Sequence, residues 1–197
     1  MDTTTLGMNT TTLIVIAAAV ILVLIILGVV LERKRRSARL RENFGPEYER
    51  VLLEKGDVRH AEAVLAEREK RVEQFSIRSL PRADRDRYAA EWANVQRRFV
   101  DDPALAVSEA ETLVVMVMGA RGYPMADFEQ RAADVSVHHP SVVHNYRQAR
   151  LIAVRQGQGQ ATTEELRQAM VYYRSLFEDL LEISKTEMNE AVHQRIA

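Results

Sequence analysis

Residues 13–31 read LIVIAAAVILVLIILGVVL, nineteen in a row without a polar side chain. Strands of a folded core usually stop at about 4–8 residues, so length argues against a buried strand. As a helix the run spans about 28 Å, close to the hydrocarbon thickness of a bilayer. Fifteen of the nineteen are Leu, Ile or Val, each favouring insertion by about 0.3–0.6 kcal/mol near the helix centre. The run predicts a transmembrane helix.

A cleaved signal peptide would need a basic segment before the run and a small-residue cleavage site after it. Residues 1–12, MDTTTLGMNTTT, hold no Lys or Arg, and the small residues Ala17, Ala18 and Ala19 lie inside the run. Directly after Leu31 comes ERKRR, a stop-transfer pattern. The basic residues Arg33, Lys34, Arg35, Arg36, Arg39 and Arg41 all lie on the C-terminal flank. Basic flanks favour the cytoplasmic side, which predicts an N-terminus outside and residues 32–197 in the cytoplasm. The bilayer is thus the first expected partner.

Charge divides at the same place. Residues 1–41 hold those six basic residues against Asp2 and Glu32, leaving 21 basic and 26 acidic residues beyond them, a net of −5. A mildly acidic body argues against nucleic acid as a partner, because that needs a clustered positive face. The chain has no cysteine, which excludes disulfides, thiolate metal sites and cysteine nucleophiles.

Beyond the run, turn and cap signals predict an all-α chain: one transmembrane helix followed by a compact helical bundle. The predicted organisation is a polar tail at 1–12, the membrane helix at 13–31, a basic stalk at 32–45, a helical domain at 46–183 and a polar tail at 184–197. The membrane helix is expected to continue to about Asn43, where Gly45-Pro46 breaks it. Asp57 suits the N-cap of a helix reaching about Phe75. Pro81 opens a helix whose Tyr88, Trp92, Val95 and Phe99 form one apolar stripe. Asp102-Pro103 starts the most apolar helix, expected at the centre of the domain and ended by Gly122. A short helix is read at 125–134, another at 140–155, and a last one from the Thr162/Glu165 capping box to about Ile183. In that last helix Leu166, Met170, Tyr173, Phe177 and Leu180 face inward.

Candidate chemistry gathers in residues 121–145, which hold three of the five histidines (His138, His139, His144) near Asp127, Glu129 and Asp134. Histidine with carboxylate can ligate metal or move protons. The spacing supports neither, because Pro140 separates His139 from His144 and Val135-Ser136-Val137 reads as extended. No catalytic, cofactor or metal residue is assigned. Asp127, Glu129, Arg131, Asp134 and His139 remain candidates for a functional surface, set against a structural role in capping helix ends and pairing with one another. Glu109, Glu111, Glu178 and Asp179 read as solvated helix faces.

Residues 41–48 (RENFGPEY), 98–103 (RFVDDP), 121–124 (RGYP) and 127–137 (DFEQRAADVSV), with His139-Pro140, carry a resemblance over nearly the whole chain. In these motifs the chain resembles an uncharacterised family of small bacterial single-pass membrane proteins. The resemblance implies the architecture above and a bacterial inner membrane, with no particular activity. An acidic residue often stands in that family where this chain has His138 or His144, which leaves His139 as the histidine to follow. The leading expectation is a membrane-anchored interaction or scaffold module, not an enzyme, meeting another protein at the membrane. A ligand-binding protein or enzyme with a site near residues 127–139 is the second. A structural or stress-related envelope protein is the third.

Overall fold

The computed structural model describes residues 10–181, which form eight α-helices and, among the described residues, no strand. The first nine residues, the polar tail read at 184–197 and the helix end read at Ile183 lie outside them. The fold is all-α, as the cap and turn signals predict. Chain contacts divide it into two units, Met1–Glu42 and Asn43–Ala197.

Helix α1, Thr10–Phe44, runs unbroken from the apolar stretch through the basic flank, and it includes Thr10, Thr11 and Thr12, which the sequence pattern assigns to a tail. Every large aliphatic side chain from Val15 to Leu31 is exposed, between 44% at Val30 and 61% at Val15 and Val23. The helix is long and apolar enough to cross a membrane. Helix α5, Pro103–Arg121, meets the same length and composition standard, yet it buries Ala106, Val107, Ala110, Leu113, Val114, Val117 and Met118. Burial separates a core helix from one without protein cover.

The second unit opens with a hairpin, α2 (Pro46–Lys55) and α3 (Val58–Val72). Gly56 takes a left-handed conformation between them, and Asp57 accepts a hydrogen bond from the His60 amide at 3.0 Å. Tyr48, Val51, Ala61 and Leu65 are buried here but lie outside the continuous core of the remaining helices. That core is built by α4 (Arg82–Arg98), α5, α6 (Phe128–Val135), α7 (Pro140–Gly157) and α8 (Thr163–Leu180). Helix α5 packs against α4, α7 and α8, the central place its composition predicts. The aromatic stripe of α4 is buried at Tyr88, Trp92 and Val95 and partly buried at Phe99. Trp92 stacks on Phe177 of α8 with ring centroids 4.7 Å apart. All five inward residues predicted for α8 are buried, and the Thr162/Glu165 capping box forms.

Local departures have local causes. Helix α3 ends at Val72, with Phe75 in the turn beyond, and Pro81 is the N-cap of α4 instead of its first residue. Helix α6 starts at Phe128 because Asp127 caps it. Ser136 is not extended: its φ and ψ of −61° and −18° are helical, and its hydroxyl donates to the Ala133 carbonyl at 2.6 Å. Burying Val135 and Ser136 overrides the strand preference of two valines.

Gly122 closes α5 with φ +98°, and a Cβ there would sit 2.5 Å from the Ser76 carbonyl oxygen. Gly159 is also left-handed, φ +70°, but has open space around it. Gly159→Ala is therefore expected to cost about 1–2 kcal/mol, the strain of the conformation alone. Gly122→Ala must add a backbone clash and cost more. Denaturant titrations followed by Trp92 fluorescence would rank the two, and equal costs would contradict the close approach.

Candidate functional site

The site begins at the turn into α2. Gly45, at φ +46°, redirects the chain, Pro46 takes the first helical position, and Glu47 falls in the first turn. A carboxylate there meets the positive end of the helix dipole. Glu47 is only 3% exposed, and a buried charge is tolerated only with close partners. Three arginines supply them. Arg50 donates through Nε to Oε2 at 2.9 Å and through Nη2 to Oε1 at 2.7 Å. Arg68 of α3 donates to Oε1 at 2.8 Å, and Arg147 of α7 reaches the same oxygen at 3.4 Å. Burial alone would raise the Glu47 carboxyl, but the hydrogen bonds from Arg50 and Arg68 and the charge of Arg147 outweigh it and hold it below the ordinary 4.5.

Around this point α2, α3, α6 and α7 border an open, shallow cleft of about 370 Å³ lined by Arg50, Glu54, Arg68, Asp127, Glu129, Gln130 and Arg147. Two of the sequence candidates, Asp127 and Glu129, thus stand together. Asp127 caps α6, accepting from the Gln130 amide at 3.0 Å. Glu129 is 75% exposed at the rim and accepts from Arg147 Nη1 at 2.5 Å. Glu54 occupies the opposite rim, between Arg50 Nη1 at 2.9 Å and Lys55 at 2.8 Å. Arg68 also donates to the Ser136 hydroxyl, and the Nε of Arg147 is buried without an acceptor.

The other candidates point elsewhere. Asp134, 1% exposed, accepts from Arg71 Nε at 3.0 Å and Gln130 Nε2 at 2.8 Å, while its Oδ2 has no partner. Arg131 donates to the Ala126 carbonyl at 2.5 Å and braces the start of α6. His139 is buried and donates through Nδ1 to Asp179 at 2.5 Å, leaving Nε2 enclosed without a partner. His138 instead lies 3.1 Å from the Tyr123 hydroxyl, and burial together with the charges of His139 and Arg121 lowers its pKa. His144 is exposed. Among the described residues no three His, Asp or Glu side chains come together as a metal site.

Two carboxylates read as solvated are not simply so. Glu111 has a side chain 17% exposed and pairs with Arg150 at 2.7 Å, and Asp179 carries the His139 contact. Glu109 and Glu178 pair with Arg98 and Arg174. Sequence reasoning missed Glu47, Arg50, Arg68 and Arg147, though a carboxylate directly after a helix-opening proline marks a first-turn charge. The six basic residues of the flank, Arg33, Lys34, Arg35, Arg36, Arg39 and Arg41, lie exposed on α1.

Chemically the cleft offers guanidinium donors in fixed positions, a setting for binding anions by charge-assisted hydrogen bonds. No protein-family model matches the chain, and no curated protein or solved structure matches it.

Proposed function

We propose that this chain is a membrane-tethered helical interaction module, with α1 in a bacterial inner membrane and the bundle on the cytoplasmic side. The observation that carries the tether is the uncovered apolar surface from Val15 to Leu31, followed by six basic residues on one flank only. Thirteen large aliphatic side chains are exposed along that stretch. Burying each in hydrocarbon is worth about 1.5–3 kcal/mol relative to water, so a bilayer is the natural environment for the helix. The bundle supplies a folded body on which another protein can dock.

A fusion of alkaline phosphatase after residue 197 is expected to be inactive in bacterial cells, because that enzyme needs the periplasm to form its disulfides. A strongly active fusion reverses the orientation. Capture from detergent-solubilised membranes is expected to recover a partner more efficiently with the intact chain than with residues 42–197 alone. Equal recovery would make the tether irrelevant to partner choice.

A second reading, a small-ligand binder, is favoured by the cleft that joins Asp127 and Glu129 to three arginines. It is compatible with the first, since a tethered body can carry a ligand site.

A further inference from the structure

We infer that the cleft between the α2–α3 hairpin and the α6–α7 pair binds a phosphate or phosphomonoester dianion. The site rests on the small-ligand reading and not on the tether. Its floor holds three guanidiniums, Arg50, Arg68 and Arg147, against the single buried carboxylate of Glu47. Counted with Glu54, Asp127 and Glu129 of the lining, three guanidiniums face four carboxylates, so an anion binds by displacing carboxylates at the mouth. Asp127 is committed to the α6 cap. The two remaining carboxylates, Glu54 and Glu129, have side chains 47% and 75% exposed and each holds an outward Nη1, of Arg50 and Arg147 respectively.

Those two rim contacts are exchangeable. Glu129 loses only a surface ion pair by swinging into water, and such pairs contribute little. Glu54 keeps Lys55 at 2.8 Å when it releases Arg50. A dianion entering between them takes over both Nη1 donors as the two carboxylates turn into water.

Geometry selects the anion. Guanidinium forks arriving from three helices suit a compact tetrahedral group with several acceptor oxygens better than one flat carboxylate. Arg68 and Arg147 have side chains only 13% and 12% exposed, so the donors are recessed and a small group reaches them more readily than a folded surface does. The open cleft of about 370 Å³ exceeds what one phosphate fills, which leaves room for an esterified organic group.

The test is calorimetric titration of the full chain in detergent micelles with inorganic phosphate and glycerol 3-phosphate, at constant ionic strength. Succinate and chloride serve as the anion controls. Saturable binding of either phosphate probe, with no saturation by succinate or chloride, supports the site, and tighter binding of the ester identifies an organic phosphate as the ligand. Glu129→Gln removes the competing carboxylate and is expected to tighten binding about two- to fivefold. Arg147→Gln is expected to abolish it with unchanged circular dichroism. Should Arg147→Gln fail to fold, Glu129→Gln alone decides. Absence of saturation by both phosphates, equal binding of succinate, or an affinity untouched by Glu129→Gln overturns the site. Partner capture that persists after any of those outcomes leaves the tethered module standing.

Discussion

Replacing Glu47 with Gln is expected to destabilise the bundle by about 3–5 kcal/mol, the usual cost of removing one member of a buried ion cluster. The carboxylate is 2% exposed and accepts from three guanidiniums, two of them on side chains at most 13% exposed. Without it, the three positive charges lose the one buried carboxylate they share, and Arg50 and Arg147 keep only the exposed Glu54 and Glu129. Glu129→Gln acts on the same arginine at an exposed rim and is expected to cost under about 1 kcal/mol. Denaturant titration of both variants separates the cases. Similar, small losses would show that water reaches Glu47 and that the cluster is not buried in solution. Acid should act as the substitution does. The folded pKa lies below the unfolded one, so the stabilisation is fully present above about pH 4.5. It is lost as pH falls toward the folded value. Glu47→Gln should therefore blunt the acid sensitivity of the fold.

The second large effect is expected at Trp92. This side chain is 5% exposed, stacks on Phe177 and belongs to the continuous core. Trp92→Ala leaves a cavity between α4 and α8 and is expected to cost about 3–5 kcal/mol, a large share of a domain's total stability. Trp92→Phe is expected to cost much less, because the ring stack survives and the indole Nε1 has no hydrogen-bond partner to lose. Thermal melts by circular dichroism would show the order. An unchanged melt for Trp92→Ala would remove α4 from the core.

What the sequence disclosed and what it hid divide along a physical line. Asp57, Asp102, Asp127 and Thr162 satisfy amides three residues ahead, so their roles depend on neighbours that a local reading sees. The α8 stripe is legible for the same reason, since a helical period repeats within a few turns. Glu47 is different. Its partners Arg68 and Arg147 lie 21 and 100 residues away, and only the crossing of α2 with α3 and α7 brings them together. Glu111 reads as solvated because its own helix says nothing about Arg150 lying across it. The candidate segment is half structural: Asp127, Arg131 and Asp134 brace α6, whereas Glu129 faces the cleft.

The α2–α3 hairpin has a mechanical meaning as well. Its buried side chains stand apart from the continuous core, and its side-chain hydrogen bonds to the bundle are ionic or polar, through Glu47–Arg147, Arg68–Ser136 and Arg71–Asp134. Because α2 follows α1 directly in the chain, any pull transmitted along the first helix loads the hairpin before it loads the aromatic core. Hydrogen bonds weaken steeply once their distance and angle are lost. Force applied along the chain is therefore expected to test the hairpin's contacts before those of α4 to α8.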